Sequence, residues 1–329
     1  MKAPPTTAPE PEPPAPRGLS HTAFPILAAL LLATQGALGW AVSRSHFWPA
    51  LPLVLISSHL MHGMLIGFHE ATHGLLRKSR LLNETDGLII GTLSLMSFSL
   101  YRAAHQLHHA YLASERDEEL WPFVHPQMPR WARVAAAILE LTMGLIFTPL
   151  LFVRTFLRKD SPIRNRKLRR RIWTEFAAIA VVWAAILTAL AAFGAWKYFL
   201  WLHVLPAWLA ANMQSLRKYV EHVGLTGSTV NSSTRSIVAE GWVAAFVNFT
   251  LLHEPYHGVH HWRSGLPHPA LPQHAAALEP RTGEERPPFR TFGAAVRDLL
   301  VNLPDPRVGA QWRGVTRLTR QELAHQNLH

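Results

Sequence analysis

Residues 22–42, "TAFPILAALLLATQGALGWAV", pass through twenty-one positions without an Asp, Glu, Lys or Arg. Residues 46–68, 176–196 and 198–216 are equally free of charge. Each run approaches the ~20 residues that carry an α-helix across a bilayer core. Helices buried in a soluble protein seldom show four such runs arranged as two tight pairs. The fold class read from this pattern is all-α: a polytopic membrane protein with four transmembrane helices in two hairpins.

The rest of the chain is read around those hairpins. Its 329 residues include no cysteine, which excludes disulfides, cysteine-held zinc and a built-in iron–sulfur centre. Residues 1–20 are rich in proline and alanine and read as a disordered tail, with no removable signal peptide ahead of the first span. The expected domain covers 21–278, followed by a cytosolic tail over 279–329. Three apolar runs are ambiguous: 87–101 is too short to span, 237–252 is unassigned, and 134–153 is long enough but holds Glu140 and Pro149. The run 134–153 precedes "RKDSPIRNRKLRRR" (158–171), with eight basic residues and one acidic. A crossing at 134–153 would put that block outside, against the positive-inside tendency. The run is therefore expected to lie along the membrane surface or dip into it. Both termini and a histidine-rich cap then fall on the cytosolic face, and the net charge of +11 faces anionic lipid rather than nucleic acid.

At the end of the second run stands His69-Glu-Ala-Thr-His73. Read as H-E-x-x-H it is a zinc-protease signature; read as H-x-x-x-H it is one pair of metal ligands among others. The 20 histidines decide between the two by their spacing. His105, His108 and His109 form "HQLHH", and His257, His260 and His261 form "HGVHH". On a helix, positions i, i+3 and i+4 share a face, so each cluster can direct two or three imidazoles at one point. These eight imidazoles exceed the needs of one tetrahedral zinc and suit two metals with open positions.

This constellation resembles the membrane fatty acid desaturase family, a histidine-box, di-iron group that includes related hydroxylases and carotenoid ketolases. "HEATH", "HQLHH" and "HGVHH" occur in the family's order, and "HHWRSGLPHPALPQ" is similar to its tail after the third box. The resemblance covers about residues 22–278. It implies two iron ions, O2 as co-substrate and a ninth ligand, His222, in "LRKYVEHVG". Acyl desaturases often carry asparagine four residues before the third box. Here His253 stands there, and "HEPYHGVHH" matches a ketolase-like pattern, which implies His253 as a ligand or a holder of metal-bound water. Glu221, Glu254 and Asp117 are candidates to accept hydrogen bonds from the second nitrogens of the ligands, with Glu70, Glu115 and Glu118 also beside the boxes. His59 and His62, within the second span, read as hydrogen-bonded core residues.

The expected function is oxygen-dependent insertion of a double bond into a fatty acyl chain, with lipid or carotenoid hydroxylation or ketolation as the alternative. Electrons must come from a separate carrier, whether ferredoxin, rubredoxin or cytochrome b5, because the chain has neither cysteine nor a His-Pro-Gly-Gly signature. An intramembrane zinc protease would leave most of the boxed histidines idle. A metal transporter would place its site near the bilayer midplane rather than at one boundary.

Overall fold

The computed structural model describes residues 23–314; the proline-rich tail expected over 1–20 and the last part of 279–329 lie outside the described residues. Helices α1 (Ala23–Ser43) and α2 (Phe47–Thr72) follow each other closely and pack together. Small residues let the elements close up, since a Cβ on Gly67 would collide with the Phe24 ring and one on Gly63 would meet the Thr250 carbonyl at 2.6 Å. Next, α3 (Arg80–Leu93) and α4 (Phe98–Ala110) meet at a 102° bend and form a broken rather than continuous segment. Ser79 and Ser97 cap the two helices through their hydroxyls.

A buried carboxylate fixes the direction of α4. Glu175, on α6 (Arg166–Phe193), accepts the Ser97 hydroxyl at 2.7 Å, the Ser99 N–H at 2.8 Å and the Ser99 hydroxyl at 2.5 Å. A negative charge at a helix N-terminus satisfies open N–H groups and complements the helix dipole. The opposite end of α4, which carries His105, His108 and His109, is thereby aimed at the interior.

Among the described residues, four helices are long and apolar enough to cross a membrane: α1, α2, α6 and α5 (Arg130–Leu157). Three of these match the expected spans. The run at 198–216 belongs instead to a composite segment: α7 (Trp196–Phe199), a π-helical turn (Leu200–Val204) and α8 (Leu205–His222). Its last two turns bear Arg217, Lys218 and Glu221, which lowers its overall hydropathy.

Helix α5 is kinked, with non-helical geometry at Met143 and Pro149 inside. The backbone groups at the kink find partners on α8. Gly144 N–H donates to Asn212 at 2.9 Å, and the Thr142 carbonyl accepts from Trp208 at 2.6 Å and Asn212 at 3.1 Å. Both ends of α5 also touch one short stretch of chain. Arg133 donates to the Met128 carbonyl, Thr155 donates to Glu118 at 3.1 Å, and Arg158 pairs with Glu118 at 2.7 Å.

Short helices make up a further group: α9 (Val230–Ser233), α10 (Trp242–Thr250), α11 (His257–Trp262) and α12 (Phe292–Asn302). Residues after 278 pack onto it, with Asp298 paired to buried Arg235 at 2.6 Å and the Val308 N–H bonded to the Phe123 carbonyl at 3.1 Å. The fold predicts a sharp intolerance at Gly144, where a Cβ would lie 2.7 Å from Ser215 Oγ and 2.9 Å from the Ala211 carbonyl. Gly144→Val should cost about 1–3 kcal/mol by forcing α5 from α8, read as a lower Tm in detergent; an unchanged Tm would contradict this contact.

Candidate metal centre

Nine imidazoles gather in two groups: His69, His73, His105, His109 and His260 in one, and His108, His222, His257 and His261 in the other. Within each group the ligand atoms all lie within 4.8 Å of one another. The groups do not follow the boxes in sequence. The i, i+4 pair His105/His109 faces the first group, while His108 turns to the second; His257/His261 face the second, while His260 turns to the first. Each H-x-x-H-H box therefore serves both groups, by the angular offset of i+3 from i+4.

Proton placement shows why these groups call for cations. His222 Nδ1 lies 3.1 Å from the Ser233 carbonyl, and His257 Nδ1 lies 3.0 Å from Glu254. Both partners accept, so each Nδ1 carries the hydrogen and each Nε2 presents a lone pair. Those two Nε2 atoms are 2.9 Å apart, and His261 Nε2 is 3.1 Å from His257 Nε2. Burial, and then the facing His222 and Arg217, hold His257 well below the ordinary imidazole range, so it does not protonate to relieve the contact.

The spacing also indicates the geometry. In the first group the Nε2–Nε2 distances are 3.0 Å (His73–His105), 3.0 Å (His105–His109) and 3.1 Å (His109–His260). Ligands ~2.1 Å from a metal stand about 3.0 Å apart at right angles and about 3.4 Å apart in a tetrahedron. Right-angle neighbours, five of them in the first group, exceed tetrahedral zinc and fit an octahedral ion with a position to spare.

Carboxylates fix the outer nitrogens. Asp117 accepts from His108 Nδ1 at 2.9 Å, and Glu254, besides holding His257, lies 3.4 Å from His69 Nδ1. Glu221 lies 3.6 Å from His257 Nε2 and is paired with Arg217, which also bonds Glu254 at 2.7 Å. Glu119, which sequence reasoning passed over, accepts from His105 Nδ1 at 2.9 Å. In the acidic run "ERDEEL" nothing in the spacing marks which carboxyl turns inward. Glu70 is buried with Oε1 3.8 Å from His69 Nδ1, whereas Glu118 turns to Arg158 and Thr155. Glu115 is exposed.

His253 stands outside both groups, with a left-handed backbone (φ +57°) and its ring stacked on His268, the two Nδ1 atoms 3.3 Å apart. His59 meets the Thr250 hydroxyl at 2.8 Å and stacks on Phe246, while His62 is buried facing Gln214 and Arg217. Position decides between the two readings of His69-Glu-Ala-Thr-His73: His69 and His73 share their group with imidazoles of both later boxes.

These features define a membrane protein with a polyhistidine site built for two metal ions. The fatty acid desaturase family model matches residues 45–293, and the chain belongs to that family of oxidoreductases. No individual curated protein matches the chain.

Burial, ahead of neighbouring charges, holds His73 down to about 4 and lowers His260 and His261 well below the imidazole range. In the unfolded chain these groups titrate near 6.5. A lowered folded value contributes stability above about pH 6.5 that is lost as pH falls, by up to about 1.4 kcal/mol per unit for each imidazole. Metal-stripped protein should therefore lose Tm steeply between pH 7 and pH 5. A flat profile would contradict the neutral, buried state of the cluster.

Proposed function

We propose that this protein introduces a double bond into a fatty acyl chain using two iron ions, O2 and two electrons from a separate carrier. The balance is one –CH2–CH2– unit, O2, two electrons and two protons in, and one –CH=CH– unit and two waters out. The observation that supports iron is the pair of right-angled imidazole groups. His69, His73, His105, His109 and His260 would hold one ion, and His108, His222, His257 and His261 the other. His253, outside both, is assigned no direct ligation.

The irons would supply the oxidising power that no side chain has. The chain's own residues orient and enclose. Asp117, Glu119, Glu254 and the Ser233 carbonyl keep the Nδ1 protons in place, so that each Nε2 faces inward. Tyr101 stacks on His105 at 5.6 Å and is flanked by Phe68 at 4.9 Å and Phe152 at 5.2 Å, an apolar wall that excludes water from this side.

Beside this wall lies a cavity of about 380 Å³ lined by Met64, Leu65, Phe68, Ile90 and Tyr101, and it reaches Glu119. Leu32, Ile89 and Leu93 also line it while remaining exposed, so it opens sideways between α1 and α3. A lipid entering from the bilayer fits such an opening. The single-sided arrangement is supported by α5, whose ends are both tied to the stretch 118–128. A kink that turns the helix back to its starting face would keep the basic block 158–171 cytosolic, placed to receive an acidic electron carrier.

Two experiments test this reading. Protein from iron-replete cells should hold about two irons per chain; His105→Ala should lower bound iron and abolish oxygen-dependent lipid modification, whereas Glu70→Gln keeps a measurable part of both. Near-normal iron and activity in His105→Ala would overturn the assignment. For topology, a cysteine at the exposed Asp160 of this cysteine-free chain should resist impermeant thiol reagents in intact cells and react after permeabilisation. Labelling from outside would mean that α5 crosses.

A further inference from the structure

The cavity beside the Tyr101 wall is not a plain hydrocarbon slot. Along one side it is lined by Glu140, Thr148, Gln214, Ser215 and Lys218. Glu140 is almost fully buried, and its carboxylate accepts from Lys218, from the Tyr219 hydroxyl at 3.0 Å and from the Thr148 hydroxyl at 3.2 Å. Three donors satisfy it. Lys218 has more donors than hydrogen-bond acceptors: its ammonium carries three N–H groups, of which one meets Glu140 and one makes a long 3.5 Å contact with the Glu119 carbonyl, while the Tyr219 ring centroid stands 5.8 Å away.

A buried ammonium beside an apolar cavity is costly unless its donors are used. Bracing α5 against α8 does not require it, because Trp208, Asn212 and the close approach at Gly144 already join these helices. Its place is close to the chemistry. Lys218 precedes His222 by one helical turn, and Glu119, whose carbonyl it meets, holds His105 at 2.9 Å through its carboxylate.

We infer that Lys218, held by Glu140, donates to an acceptor oxygen of the substrate, a carbonyl, ester or hydroxyl lying within a few bonds of the carbon that is oxidised. This deepens the reading of the cavity as the substrate site of a metal-dependent oxidoreductase and rests on it. A chain bound by its hydrocarbon alone would leave the spare Lys218 donor unmet; an oxygen near the reacting carbon meets it and sets the register of the chain against the metals.

The test is binding, not turnover. Metal-loaded protein in detergent is melted with increasing octadecane or octadecan-2-one, the same chain with one carbonyl oxygen. A hydrogen bond to a charged donor makes the ketone about tenfold the tighter ligand, so that about one tenth of the concentration gives the same rise in Tm. The paired variant Lys218→Met/Glu140→Gln, which strands neither charge, should keep the octadecane response and lose the ketone preference. Lys218→Arg should retain it. Equal responses to the two probes in the unaltered protein would overturn the inference, and need no variant to fold. A ketone preference surviving in the paired variant would overturn it equally. Failure of the di-iron reading would appear separately, in iron content and oxygen-dependent activity, which this measurement does not read.

Discussion

Two nitrogen lone pairs, on His222 Nε2 and His257 Nε2, face each other across 2.9 Å of buried space with no proton available between them. Each Nδ1 has spent its hydrogen on an acceptor, the Ser233 carbonyl or Glu254. Such an arrangement is tolerable only around a positive centre. His105, held through Nδ1 by Glu119, likewise turns an Nε2 lone pair toward His73 and His109 at 3.0 Å. The fold is thus organised to enforce a repulsion that bound cations relieve, and metal binding is part of its stability.

That requirement explains where polar chemistry is placed inside an apolar helical frame. Glu175 is buried in α6 because α4 must be held at one angle, and three Ser-derived donors use its charge. Arg217 bonds both Glu221 and Glu254, so one buried cation steadies the acids around His257. Glu254 reaches in both directions, 3.0 Å to His257 Nδ1 and 3.4 Å to His69 Nδ1, and links the two groups through a single carboxylate. A displacement of α11 relative to α2 would therefore disturb both ion sites together.

Much of this was legible in the sequence, and the boundary of legibility has a physical cause. Charge-free runs report bilayer thickness directly, so α1, α2 and α6 were readable. The stretch 196–222 was harder, because its apolar half passes through a π-helical turn into the charged turns that carry His222. The i, i+3 and i+4 spacing announced convergent imidazoles. It did not reveal that His108 and His260 face the opposite group from their neighbours, because that depends on where α4 and α11 lie in space. Asp117 and Glu254 were nameable from adjacency alone, whereas the inward turn of Glu119 depends on the loop after α4. The pairing of Glu140 with Lys218, 78 residues apart, has no local trace at all.

The kink of α5 ties these features together. A straight helix would need no help at Thr142 and Gly144; the bent one relies on Trp208 and Asn212 of α8 to take up the freed carbonyl and N–H. The bend brings Glu140 before it and Thr148 after it to the same cavity wall, with Thr148 donating to Glu140 at 3.2 Å. It also lets Phe152 reach Tyr101, the residue stacked on His105. One departure from helical geometry at Met143 thus closes the apolar wall beside the metals and places a charged pair within it. The interruption is held because the Gly144 N–H and the Thr142 carbonyl have partners on α8, and α8 is the helix that ends in His222.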